Sequence, residues 1–316
     1  MLDLIGKKYK KGKFLIRNKQ INFLKLSKFL SPLSVILSFL ALVSILLLGF
    51  KYGIDFSGGN ELQVRFEKTV PVGDIRQALT TAGITNSSVQ KFGTDKEFLI
   101  RVEVSKNEED NNKKLEDLTN TLKNNFIKEG FEIRKIDSVG PQIGKELRQN
   151  GILSLIYSLL MILIYLGLRF DIRYAPSAVF CLFHDAMITM SLFSIFKLEV
   201  NVQTLAAILA IIGYSLNDTI VTFDRIRENY QIIGNKKSFY DICNQSLNEV
   251  LSRTLLTSIT TLLAVLTMYI FADGVIKDFA FTLSIGIVIG TYSSIYVATP
   301  LLIFMNKLQK NIKKPQ

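Results

Sequence analysis

The chain has 316 residues, room for one large or two ordinary domains, and its 48% hydrophobic content is gathered into blocks rather than spread evenly. A net charge of +11 is no nucleic-acid footprint here, because the excess sits in short flanks of the apolar blocks. One His and two separated Cys (Cys181, Cys243) exclude a conventional zinc site, and the lack of a Gly-Lys-Ser/Thr loop argues against bound ATP, so no cofactor is expected.

Residues 1–28 carry nine Lys or Arg against one Asp, which reads as a basic cytoplasmic N-terminus. Residues 29–50 form the first block of about twenty apolar residues, the length that spans a hydrocarbon core of roughly 30 Å. The block is too long for a signal-peptide core and has no convincing cleavage site, so an uncleaved anchor is expected.

Residues 51–150 hold sixteen basic and sixteen acidic residues and read as an ordinary water-soluble domain. Glu61–Glu67 alternates apolar Leu62, Val64 and Phe66 with polar neighbours, a half-buried strand. A helix is expected from Pro71 to Ala82, ended by Gly83. Strands follow at Ser88–Phe92 and Glu97–Val104, with a Gly-Thr-Asp turn between them. A charged amphipathic helix runs from about Asn107 to Glu129 with Leu115, Leu118, Leu122 and Phe126 on one face, closed by Gly130. Phe131–Ile136 is the fourth strand. The order β-α-β-β-α-β predicts a ferredoxin-like α+β domain, a fold that by itself decides no function.

A Gly/Pro-punctuated run, Ser138-Val-Gly-Pro-Gln-Ile-Gly-Lys-Glu-Leu147, leads into a region of five more spans over 151–305. These are expected near 152–168, 175–196, 203–223, 250–271 and 279–305, with Pro141 at a first helical position. The segment Asp224–Arg253 reads as a loop with five basic residues, and the tail 306–316 has four Lys. Basic flanks alternate with non-basic ones, which puts both termini in the cytoplasm and the soluble domain outside it. Attraction to anionic membrane lipid is a secondary effect of the same residues. The fold class is thus a six-helix membrane bundle with an extracytoplasmic α+β domain between helices 1 and 2.

Few spans carry anything more polar than Ser, Thr or Tyr. Asp218 lies about six residues, roughly 9 Å, inside the cytoplasmic end of the fourth span. Ala206, Ala210, Tyr214, Asp218 and Thr222 share one i+4 row, with Asn217 beside it. The fifth span places Arg253, Thr257, Thr260 and Ala264 on one face, at a depth from which Arg253 could reach Asp218. A charge at a helix centre costs about 2.5–3.5 kcal/mol on insertion scales and usually marks a transport path; the other reading is a structural ion pair. Burial favours the protonated form of such an acid and a close guanidinium favours the anion, so a small helix movement could switch its proton occupancy. His184 and Asp185 sit near the middle of the third span, as a further relay or as packing residues. Gly286 and Gly290 form a GxxxG pair in the last span.

At these residues the chain resembles a known family. Gly53-Ile-Asp-Phe-Ser-Gly-Gly59 is similar to the Asp-Phe-x-Gly-Gly signature of the SecD and SecF protein-export membrane proteins. Val139–Leu147, Phe183-His-Asp-Ala-Met-Ile-Thr189, Gly213–Asn229 and Ser252-Arg-Thr-Leu-Leu-Thr-Ser258 resemble further signatures of that family, in order along nearly the whole chain. The small outer domain looks like the SecF branch. The resemblance implies a bundle of the resistance–nodulation–division type in a bacterial inner membrane, not an enzyme, partnered by SecD and the Sec translocon channel. Such a complex uses the proton-motive force to help draw unfolded secretory polypeptides outward. It also implies a role in proton movement for Asp218 and Arg253, and a less defined one for Asp55, Phe56, Gly58 and Gly59 near the outer domain. Two rival readings are a proton-driven exporter of small molecules or lipid, and a membrane assembly factor that transports nothing.

Overall fold

The structure, a computed structural model, describes residues 21–84, 87–102, 108–170, 173–234 and 236–312. Most of the basic N-terminus, the expected strand end and helix start at 103–107, and the last four tail residues lie outside the described residues. In chain order the elements are α1 (Phe23–Leu48), β1 (Lys51–Tyr52), α2 (Ile54–Ser57), β2 (Gly59–Phe66), α3 (Val72–Thr81), β3 (Ser87–Phe92), β4 (Thr94–Val102) and α4 (Glu108–Asn125). After a 3₁₀ turn at Ile127–Glu129 come β5 (Phe131–Val139), α5 (Pro141–Arg169), α6 (Tyr174–Ile195), β6 (Glu199–Val200), α7 (Val202–Ile233), α8 (Phe239–Phe271) and α9 (Gly274–Ser293). A π-helical turn, Ser294–Ala298, then leads into α10 (Thr299–Ile312).

Among the described residues six helical segments are long and apolar enough to cross a membrane: α1, α5, α6, α7, α8, and α9 continued to Gln309. The protein is therefore a multi-pass membrane protein. Several helices outrun their apolar blocks, because hydropathy marks lipid contact while hydrogen bonding carries a helix on into water. The segment expected as a loop from Asp224 to Arg253 is mostly helix, since α7 continues to Ile233 and α8 starts at Phe239, capped by Ser238. Only 234–238 connects them. Likewise α1 starts at Phe23, where the Asn22 side chain accepts from the Lys25 N–H. Asn244 and Asn248 of α8 bond the backbone of Ile21, tying that end of α1 to the bundle.

The last span is not one straight helix. The π-turn precedes Pro300, which can donate no backbone bond, and the Ser31 hydroxyl of α1 donates to the Tyr296 carbonyl within the turn (2.7 Å). Upstream, Gly286 and Gly290 receive α7. A Cβ at Gly286 would fall 2.1 Å from Ile211, and one at Gly290 would fall 3.0 Å from the Ser215 Cβ. The GxxxG pair thus forms the groove in which α7 lies. Gly286→Ala is expected to cost about 1–3 kcal/mol by overpacking, since the whole Ile211 side chain, its γ carbons included, must yield. A lower unfolding temperature in detergent would register it.

Four antiparallel strands make a sheet in the order β3-β4-β2-β5, all drawn from the chain between α1 and α5. The alternation in β2 has the expected outcome: Leu62, Val64 and Phe66 are fully buried, packed on Ile75 and Leu79 of α3 and Leu118 and Leu122 of α4. Fully burying side chains of this size is worth about 1.5–3 kcal/mol each. Several boundaries move: β2 starts at Gly59, β4 starts at Thr94 so that the expected Gly-Thr-Asp turn shrinks to Gly93 (φ +66°), the long helix stops at Asn125 with a 3₁₀ turn before Gly130 (φ +65°), and the last strand runs on to Val139. The opposite face of the sheet carries Glu61, Gln63, Arg65, Leu99 and Arg101 and looks toward one end of the bundle.

Candidate functional site: two buried carboxylates and a glycine elbow

The double-glycine segment is an elbow between sheet and bundle. Tyr52 and Lys51 pair in parallel with Val200 and Glu199, two residues each, too short a ladder for periodicity to announce. Gly53 N–H then donates to the Val200 carbonyl (2.9 Å), and α2 turns the chain so that Phe56 is buried with Phe193 and Val200. Asp55 reaches the first turn of α7: its Oδ2 accepts from the Val202 N–H at 3.0 Å, next to the Asn201–Thr204 capping box. A carboxylate there satisfies an otherwise unpaired donor and complements the helix dipole. Asp55→Ala should therefore cost about 1 kcal/mol, measurable as faster hydrogen exchange in the first turn of α7.

Gly58 and Gly59 have φ of +77° and +155°. A Cβ on Gly58 would lie 2.9 Å from Pro141 Cα, and one on Gly59 would lie 2.8 Å from the Ile54 side chain. From the other side, a Cβ on Gly144 would meet the Gly58 nitrogen at 2.9 Å. Backbone meets backbone here, so the start of α5 and the start of β2 are welded together. Arg148 of α5 stacks over the Tyr52 ring at 5.2 Å.

The sheet domain docks on the same end of the bundle. Arg101 of β4 pairs with both Glu61 and Glu199, and Lys51 joins Glu199 at 2.9 Å. The Phe92 ring packs where Gly274 has no side chain. Between sheet and helices lies a cavity of about 650 Å³, lined among others by Asp55, Arg101, Lys135, Asp273 and Asp278. At its rim the hydrogen bond from Lys135 to Asp137 pushes the Lys135 ammonium pKa upward.

Among the described residues two carboxylates are buried inside the bundle, Asp185 met by two hydroxyls from neighbouring helices and Asp218 by one. Asp185 on α6 is fully enclosed. Its Oδ2 accepts from Ser215 of α7 (2.6 Å) and Ser293 of α9 (2.8 Å), and its Oδ1 lies 2.9 Å from His184 Nδ1. Asp218 on α7 is 2% exposed, and its one protein hydrogen bond among the described residues is a long one, from the Ser258 hydroxyl of α8 at 3.3 Å. Thr291 of α9 donates in turn to Ser258 (2.8 Å).

Arg253 does not pair with Asp218. It is exposed and, among the described residues, makes no ion pair, acting on the carboxylate only through space. With Asn217, Asp224 and Glu249 it lines an open cavity of about 830 Å³ at the end of the bundle away from the sheet. Thr257 is also turned aside, its hydroxyl donating to carbonyls of its own helix. The buried face of α8, turned toward α7 and α9, carries Thr254, Ser258 and Val265, one residue on from the row containing the charge. One residue is a rotation of about 100°; polarity selected one row and packing the other. Tyr214 and Thr222 line α7 near Asp218, and Thr222 is buried while the buried Tyr214 hydroxyl has no protein partner among the described residues. The hydroxyls that meet the carboxylates, Ser215, Ser258 and Ser293, and Thr291 behind Ser258, were not singled out in the sequence; their one signal was Ser215 three residues before Asp218 on the same helical face.

Residues 118–308 match the family model for protein export membrane protein SecD/SecF, C-terminal, and residues 43–70 match the SecD/SecF GG motif. The protein translocase subunits SecF of Desulfurispirillum indicum and Calditerrivibrio nitroreducens are each 40% identical to this chain, over 95% and 94% of it and 97% and 98% of their own lengths. The crystal structure of SecDF, a translocon-associated membrane protein from Thermus thermophilus, superposes with a TM-score of 0.79 at 33% identity and covers 92% of the chain. A super-membrane-facing form of SecDF superposes at 0.71 with 32% identity and 95% coverage. The chain spans 39% and 40% of those two solved chains. Sequence and architecture agree along almost the full length, and the chain belongs to the SecD/SecF family of protein export membrane proteins.

Proposed function

We propose that this chain is the SecF-type half of a SecD–SecF complex in a bacterial inner membrane, one that uses the proton-motive force to assist polypeptide export through the Sec translocon. The relatives' names support the subunit identity, and the solved SecDF chains, more than twice as long, leave room for a SecD half. In this reading the sheet domain is a ferredoxin-like unit facing out of the cytoplasm and both termini face in. The unfolded secretory polypeptide meets the outer domain, and lipid surrounds the exposed apolar faces of α1, α5 and α8.

One observation carries the proton-coupled part: a buried carboxylate with a single long hydrogen bond, beside an open cavity that holds an unpaired guanidinium. Asp218 takes up a proton while Arg253 stands apart, as it does here. When Arg253 swings onto the carboxylate the anion is favoured and the proton leaves into the cavity that Arg253 and Asn217 line. Each proton crossing 100 mV releases about 2.3 kcal/mol, and the glycine elbow connects α7 to the sheet domain.

The direct test is purification from membranes followed by reconstitution with the copurified partners. A SecD-like protein and the translocon channel should come along, and a protonophore should slow late export of a secretory polypeptide. Export that ignores the proton gradient, or purification without a SecD-like partner, would reject the proposal.

A further inference from the structure

His184 is the chain's single histidine, and it is 2% exposed. Its Nδ1 faces Asp185 Oδ1 at 2.9 Å, while its Nε2 is buried and has no protein partner among the described residues. Asp185 is in turn fixed on its other oxygen by Ser215 and Ser293, hydroxyls of two different helices. A carboxylate held from three sides, orienting an imidazole whose second nitrogen is free, is an arrangement that builds a proton acceptor. A packing histidine would have both nitrogens satisfied or exposed. Asp185 and Asp218 therefore differ in kind: the first is anchored by three partners, the second nearly bare.

We infer that His184 is a second proton-binding group of the membrane region, with Asp185 as its positioning residue; the inference rests on the proton-coupled reading of Asp218. A proton coming from the side of the sheet domain adds to the Nε2 lone pair, and the imidazolium is balanced by the Asp185 anion at Nδ1. The same N–H bond then breaks and the proton passes on toward the Asp218 carboxyl, leaving the imidazole neutral. Ser215, which holds Asp185, lies on α7 three residues before Asp218, about 4.5 Å along the helix, so the two sites stand in series.

Helix α6 packs against α1, α5, α7, α9, α10 and the π-turn. Toward the ends of these helices stand Lys25 and Lys28 on α1, Lys145, Glu146, Arg148 and Arg169 on α5, Asp224, Arg225, Arg227 and Glu228 on α7, Lys277 and Asp278 on α9, and Lys307 on α10; between the ends stand Tyr157 and Tyr165 on α5, Tyr214 and Asp218 on α7, Tyr292 on α9, Tyr296 in the π-turn and Cys181 one turn back on α6. None of them is hydrogen-bonded to the imidazole, so Asp185 is the one charge in contact with it among the described residues.

Proton flux in vesicles containing the whole complex tests the inference. His184→Asn keeps a donor toward Asp185 and removes the nitrogen that titrates. Flux should fall about a hundredfold, the lower range for loss of a positioned proton-transfer group. Wild-type flux in His184→Asn, with flux lost in Asp218→Asn, would overturn this inference and leave the reading of Asp218 standing. Undiminished flux in Asp218→Asn would instead reject that reading. Because one histidine gives one signal, ¹⁵N-histidine labelling of this chain alone supplies a measurement that needs no variant. A signal that passes from imidazole to imidazolium as the pH is lowered supports the inference, and a spectrum that does not change overturns it.

Discussion

Asp218→Asn is expected to abolish the proton-gradient dependence of export while leaving the complex assembled. The replacement is nearly isosteric, and its amide oxygen can still accept from Ser258, so the α7–α8 contact seen at 3.3 Å persists. Insertion becomes easier, because a charge is removed from a helix centre. What is lost is the buried carboxylate that can gain and release a proton beside the cavity of Arg253. Export stimulated by an imposed gradient should fall by at least about a hundredfold, the scale set by loss of a proton-transfer group. Unchanged partner recovery and helicity should accompany it. The measurement is the ratio of export with and without a gradient in reconstituted vesicles. A ratio equal to that of the wild type would show that the coupling proton goes elsewhere.

Gly58→Ala is expected to be the most destabilising single-methyl change in the elbow. At φ +77° and ψ 155° the residue occupies a region open almost only to glycine, and the added Cβ would sit 2.9 Å from Pro141 Cα and 3.0 Å from Pro141 N. Neither neighbour is a side-chain tip that can move aside. Backbone strain of about 1–3 kcal/mol adds to an overpacking cost of similar size, for a total near 3–5 kcal/mol, a large share of the 5–15 kcal/mol that usually separates folded from unfolded protein. Protease cleavage between β2 and α5 should accelerate, and the unfolding temperature should drop. An unaltered cleavage rate would mean that the start of α5 is free to retreat from the elbow.

Much of the architecture was legible because lipid and water impose simple periods. Twenty-residue apolar blocks gave the six spans, and period-two alternation at Leu62, Val64 and Phe66 gave the central strand with its buried face. Helix ends were less legible, since α7 and α8 carry polar residues far past the apolar blocks, as at Arg225 and Glu249, which pair with each other at 2.5 Å. The site was legible as charge and illegible as contact. Asp218, Asp185 and His184 stand out in an apolar background. Which face of α8 meets Asp218 depends on Thr254, Ser258 and Val265 fitting between α7 and α9, and no polarity pattern reports that fit. The parallel pairing of Lys51–Tyr52 with Glu199–Val200 joins segments about 150 positions apart, beyond the reach of any local signal.

The bond from Asp55 to the first turn of α7 has a mechanical consequence. That turn begins the same rod on which Asp218 lies sixteen residues later, about 24 Å deeper. A stiff rod gripped at its tip hands on sliding and twisting without loss. A stroke given to the middle of this rod by protonation is expected at the Asp-Phe-Ser-Gly-Gly hinge, where it would tug the sheet domain, as a bell-rope does.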